Sequence, residues 1–248
     1  AWNKSGNNYV AWNWLASNTT ASDTNGSINS TVSANTTIGF SIVGWTHDGG
    51  NSTIGHGLGA VPQVIITKER NNTGSWNSYF SAVGNAHRMV LQGTNAKISS
   101  SIWNSTTPTS TVFSMNDSIT STMIAYCFAE KKGYSKFGSY KGNGSTDGTF
   151  VYTGFRPAWV MSKRTDSSGN SWRIFDNKRP GFNTSSMNFV HANLTNSEDT
   201  GDVMDLNSNG FKIRTNSTDQ NTSGSVYIYM AFAEFPFVTS TGIPTTAR

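Results

Sequence analysis

One apolar pattern recurs along this chain and limits what it can fold into. Ile124-Ala125-Tyr126-Cys127-Phe128-Ala129-Glu130 returns as Ile228-Tyr229-Met230-Ala231-Phe232-Ala233-Glu234. A looser copy stands near the start, Tyr9-Val10-Ala11-Trp12-Asn13-Trp14-Leu15-Ala16. Successive side chains of a strand point to opposite faces. Tyr126 and Phe128 therefore share one face, and Ala125, Cys127 and Ala129 the other. Such a strand fits between a packed core and a close neighbour. Glu130 and Glu234 end their strands as exposed or locally paired carboxylates. Placed in separate units, they do not form an acid–base pair.

The sequence between these signatures also repeats. The Phe40-Ser41-Ile42-Val43-Gly44-Trp45 strand matches residues 134–140, and Gly59-Ala60-Val61-Pro62 matches Gly154-Phe155-Arg156-Pro157. Residues 63–69 match 158–164, and the return strand at Trp76 matches that at Trp172. Proline before a strand forces an extended approach and removes a donor where none is required. Frequent turns and no helical periodicity predict an all-β chain. The expected architecture is two tandem antiparallel β-sandwich modules of about 95 residues. The expected divisions are 1–37, the terminal strand of a preceding module plus a Ser/Thr/Asn-rich linker, then modules at 38–133 and 134–238 and a tail at 239–248. His47-Asp48-Gly49-Gly50-Asn51 reads as a tight turn, with Asn143-Gly144-Ser145 as its match. Residues 85–89 are the one modest helical candidate.

Composition narrows the function classes. Charged residues are 13% and aromatics 12%, so the chain is polar without the charge and aromatic poverty of a disordered segment. Its net charge of +4 is scattered, whereas nucleic-acid surfaces need a clustered basic patch. Cys127 is the single cysteine and reads as a buried thiol within a strand. No apolar run approaches the ~20 residues of a membrane span. The start at Ala1 and the early copy at residues 9–16 suggest a chain that begins inside a longer array.

No catalytic motif stands out. His47, His56, His87 and His191 lack metal-ligand spacing and read as loop or surface residues. Asp48, Asp147, Asp166 and Asp176 sit in or near turns, where Asp is favoured for backbone reasons. Glu198, Asp199, Asp202 and Asp205 form an acidic loop with two readings, a solvated loop or a weak Ca²⁺ site through Asp199, Asp202 and Asp205. Residues 55–59 are Gly-rich but precede a strand, so no helix N-terminus receives phosphate. No other cofactor is expected. Trp12, Trp14 and Trp159 read as core. Trp45, Trp76, Trp103 and Trp172 lie at strand edges or in loops beside polar residues, as sugar-stacking aromatics do. Sandwich core or a subunit contact is the other reading for each. About fourteen Asn-x-Ser/Thr sites, Asn18, Asn104, Asn193 and Asn221 among them, also fit a glycosylated exterior protein.

Residues 39–45, 55–70, 111–117, 124–172, 210–215 and 227–238 together resemble the C-terminal modules of tail-fibre-like virion proteins of tailed bacteriophages, marine ones especially. Residues 240–248 resemble the terminus of such proteins, and residues 9–14 resemble the exit of the lectin-like jelly roll that often precedes the modules. The resemblance implies a tail fibre or tail-tip component on the virion surface that contacts host-surface polysaccharide. It also implies contacts with other virion proteins and a homo-oligomer, in all expectation a trimer, without membrane insertion. It transfers no site residue. Two other readings stand beside it: a structural decoration or connector protein of the virion, and a secreted glycosylated adhesin. A polysaccharide depolymerase needs two carboxylates about 5–10 Å apart in a groove. The sequence offers no such pair, so a non-enzymatic protein is expected.

Overall fold

The computed structural model describes residues 5–6 and 8–234. The tail expected at 239–248 lies outside the described residues. Seventeen strands and no helix are present among the described residues, so the chain is all-β. The helical candidate at 85–89 instead enters a strand.

The first sheet has eight strands. β1 (Ala21–Asp23) and β2 (Ser30–Asn35) lead into the long β3 (Phe40–Gly55). Then come β4 (Val64–Glu69), β5 (Asn77–Phe80), β6 (His87–Val90), β7 (Ile98–Ser99) and the long β8 (Val112–Phe128). Their order is β1-β2-β3-β8-β4-β5-β6-β7. The second sheet uses β9 (Ser135–Lys141), β11 (Pro157–Arg164), β12 (Arg173–Asp176), β13 (Met187–His191), β14 (Asp199–Gly201) and β17 (Val226–Ala233). Read from its β9 edge, its order is β9-β17-β11-β12-β13-β14. Strand by strand this is the order β3-β8-β4-β5-β6-β7. A third sheet joins β10 (Phe150–Tyr152), β16 (Gly210–Ile213) and β15 (Met204–Asn207). All the ladders are antiparallel.

The segment expected as a linker supplies β1 and β2, which extend the first sheet through a register from Thr31↔Gly44 to Asn35↔Phe40. Backbone pairing needs no apolar run, and Val32 alone puts a large apolar side chain from β2 into the core. Residues 9–16 form no strand. They cross the sheets as an extended strap with Trp12 and Trp14 turned inward.

The turn expected at 47–51 is a bulge inside β3, with a register shift between Asp48 and Gly50. Gly49 and Gly50 have φ of 88° and 76°, conformations that side chains resist. The ladder folds over at this point. Trp45 and Ile54 would stand about 30 Å apart on a straight strand. Yet Trp45 meets Phe113, which pairs with Ile54, at 5.7 Å between ring centroids. In the second unit the equivalent strand is interrupted between β9 and β10. Buried Asn221 holds that loop: its Nδ2 donates to Asn143 Oδ1 (2.9 Å) and to the Ser145 carbonyl (2.7 Å).

Three cores result. Val43, Trp45, Phe113 and Cys127 belong to the first, inside the folded-over sheet. Tyr140, Phe175, Phe211 and Tyr227 belong to the second, between the six- and three-stranded sheets. The third joins the two large sheets face to face through Phe40, Phe128, Trp159, Met230 and Phe232. As the alternation predicts, Phe128 faces this joint while Ala125, Cys127 and Ala129 face the first core.

Candidate functional site

The joint between the large sheets is unequal, and the inequality leaves a groove. Neighbouring strands put three side chains on each rung of the sheet face. In the first sheet the covered rung is Phe40–Phe128–Val64. Trp14 packs edge-on against Phe128 and Phe232, with centroids 6.3 and 5.2 Å away. The strap is fixed further by Trp12, whose Nε1 donates to Asp176 Oδ2 at 3.3 Å.

Beyond the strap the same face is open. The next rung is Ile42–Tyr126–Ile66, then Gly44–Ile124–Lys68, then Thr46–Thr122 beside Arg70. All the apolar members of these rungs are half-buried, and Thr46, Thr122 and Arg70 are exposed. Rungs are about 6.6 Å apart, so the open face runs some 13 Å along the strands. It is a groove in two parts, both bordered by Ile42. One, of about 370 Å³, lies between the strap and Tyr126. The other, of about 610 Å³, leads past Gly44 and Ile124 to Thr31, Thr46 and Arg70.

Local structure sets up each end. The Trp76 ring stacks on Tyr126 at 6.4 Å and 21°, and its backbone N–H donates to Gln92 Oε1 at 2.9 Å. Lys68 Nζ is held by the carbonyls of Glu69 (2.6 Å) and Asn72 (2.8 Å). Asn71 Oδ1 accepts from Ser121 and Thr122, pinning the turn beside Arg70. No carboxylate pairs with Arg70 among the described residues. Gly44 leaves the trough clear: a Cβ built there meets nothing nearer than the Thr31 carbonyl at 4.0 Å. Chemically the groove offers an apolar, aromatic floor at one end and hydroxyl, ammonium and guanidinium groups at the other.

Of the four candidate tryptophans, Trp76 flanks the groove through its stack on Tyr126, and Trp45 borders the larger part with its side chain turned to the core. Trp45, Trp103 and Trp172 are buried, which corrects the expectation that they face solvent. Trp45 shares the inward face with Val43, Trp103 donates its Nε1–H to the His87 carbonyl (3.0 Å), and Trp172 reaches across the joint to the Val90 carbonyl (3.0 Å). Tyr126, the centre of the groove, is not among the sequence candidates, because the closing strand reads as packing; its large-residue face is the signal that points to it.

His47 and His56 are also corrected: both are fully buried. His56 Nδ1 accepts from the Leu58 N–H and Nε2 faces the Thr109 carbonyl at 3.2 Å. Burial holds its pKa below the ordinary value, so it serves as a neutral structural ring. The acidic loop does not converge. Asp199 pairs with His191 and Asp205 with Arg214, on different sheets, while Asp202 is exposed. No three His, Cys, Asp or Glu residues are grouped to hold a metal ion among the described residues. Glu130 and Glu234 are each locally paired, with Lys136 at 2.7 Å and Arg156 at 3.3 Å. Cys127 is a buried free thiol whose pKa burial pushes far up.

The fold and groove define an all-β protein of two large stacked sheets and a smaller third, with a solvent-open aromatic groove on the first. The chain belongs to the family described as a domain of unknown function, DUF7483, whose model matches residues 1–236. That span takes in the strap and both large sheets. No curated protein and no solved structure matches the chain.

Proposed function

We propose that this chain is a surface protein of a tailed-phage virion, a tail fibre or tail-tip component, and that its open groove holds a host-surface glycan. The observation that carries the reading is the run of open rungs from Trp76 and Tyr126 to Thr46, Thr122 and Arg70. A sugar presents an apolar ring face and a rim of hydroxyl groups, and stacking on an aromatic plus directional polar contacts is what fixes such ligands. The resemblance of its repeated segments to tail-fibre modules supports the virion setting. The protein acts by binding rather than by catalysis, needs no cofactor, and works as a homo-oligomer alongside other virion proteins.

The test is a glycan array together with host-cell adsorption, using the assembled protein. Binding of a host polysaccharide that weakens in Trp76→Ala supports the reading. An assembled protein that binds no glycan contradicts it. One observation favours the connector role as a second reading. β9 has no strand on its outer edge among the described residues, whereas β3, its counterpart, carries β2 and β1 there. An exposed edge is a template for pairing with another chain, so cross-linking from β9 to another virion protein in intact particles would favour that role.

A further inference from the structure

We propose that the outer face of the three-stranded sheet is a second saccharide platform, built on Phe150 and Tyr152 and selective for neutral sugars. Val151 points into the second core, so alternation turns both neighbours outward. Tyr152 is 65% exposed and Phe150 45%, an exposure that packing alone does not call for. Across the ladder Phe150 stands opposite Lys212 and Tyr152 opposite Gly210, and beyond them come Asp205 and Asn207. Gly210 keeps the floor flat. A Cβ there would lie 2.1 Å from the Val151 carbonyl oxygen and 2.9 Å from Phe150 Cζ, so the Phe150 ring covers bare backbone.

The rim is made of ion pairs. Lys212 binds the Asp147 carboxylate, and Arg214 Nε lies 3.4 Å from Asp205 Oδ2. Two cations meet two anions, so the rim exerts no net pull on a charged ligand. Each pair still presents donors and acceptors together, and a sugar hydroxyl both donates and accepts. A phosphate or an acidic sugar would call for unpaired cations. This surface lies on the far side of the second sheet from the groove. Only the choice of a sugar as ligand rests on the proposed function; the position is independent.

The test is saturation-transfer NMR on the full chain with maltohexaose, cellohexaose, mannohexaose and chitotetraose, and with polysialic acid as the charged probe. The expected result is a neutral probe whose binding weakens about tenfold when Tyr152→Ala is made in the Gly44→Val background, in which the groove is filled. Lys212→Met, which leaves the aromatic floor intact, should weaken it severalfold. Binding lost only in Gly44→Val overturns the platform while sustaining the groove. No response of any neutral probe to Tyr152→Ala overturns the platform, as does a response confined to polysialic acid. Dissociation of an oligomer by Tyr152→Ala also overturns it, since the face is then a subunit contact.

Discussion

Equivalent rungs of the two large sheets have opposite fates. Ile66–Tyr126 and Lys68–Ile124 in the first correspond to Met161–Met230 and Lys163–Ile228 in the second. Met230 and Ile228 are 2% and 1% exposed, whereas Tyr126 and Ile124 are half-buried. The second sheet sits over the β5–β6 side of the first, where Phe80 meets Trp172 at 5.8 Å. The segment after β6 adds a flap: the Lys97 N–H bonds the Thr165 carbonyl at 2.8 Å, and the Gly169 N–H bonds the Thr94 carbonyl at 2.9 Å. Among the described residues, nothing returns the cover to the β3–β8 side beyond the strap. One strand pattern, used twice, thus gives a sealed face and an open one, and the offset between sheets decides which.

Paired truncations should separate the two faces most widely. Phe232→Ala removes the ring that Trp14, Phe128, Phe137 and Trp159 surround and should cost about 3–5 kcal/mol in urea unfolding. Met230→Ala should cost about 2–5 kcal/mol. Tyr126→Ala, on the open rung, should cost closer to 1 kcal/mol. Equal costs for Met230→Ala and Tyr126→Ala would erase the distinction.

The paired lysines offer a smaller and pH-dependent contrast. Lys163 is fully buried, its Nζ bonded to the Arg164 carbonyl at 2.8 Å, and burial lowers its pKa from 10.5 to about 8. Between those values the unfolded chain binds the extra proton, so this residue makes stability rise with pH from about 8 towards 10.5. Lys163→Met should abolish that rise and raise stability at pH 7 by about 1–3 kcal/mol. Lys68→Met, at the half-buried position of the open rung, should leave stability at pH 7 within about 0.5 kcal/mol. Urea midpoints across this pH range would show it, and a rise that persists in Lys163→Met would refute the assignment.

His56 supplies the smallest effect, at the acid end. Its depressed pKa means that the fold accommodates the neutral ring, so its contribution is complete above the ordinary value of 6.5 and is lost as pH falls through the folded value. His56→Gln should flatten that acid loss in thermal melts between pH 7 and 5. A loss of the same slope in the variant would assign it to other groups.

The strand content and the facing of each closing strand were legible because period-two alternation is a local signal. Trp45 shows how position misleads where parity does not. It ends an apolar run and looks peripheral, yet it keeps step with Val43, and that pairing put it in the core. β1 and β2 were illegible because their hold on the sheet is backbone hydrogen bonding, which Ser, Thr and Asn provide as well as any residue. Gly49 and Gly50 suit a tight turn, but a turn and a bulge use the same positive-φ glycines, and the structure has the bulge. Beyond Trp76 and the large-residue face of Tyr126, the groove could not be read, since it arises from how one sheet is displaced on another, and no local pattern records that.

The most direct measurement is glycan binding by Gly44→Val beside the unaltered protein, with thermal stability followed in parallel. Valine suits a strand, and space for its Cβ exists, so the fold should keep its Tm while the added methyl groups fill the trough between Ile42 and Ile124. The account predicts that host-glycan binding falls at least tenfold at unchanged Tm. Binding that survives Gly44→Val intact would place the glycan elsewhere and contradict the groove as the functional site.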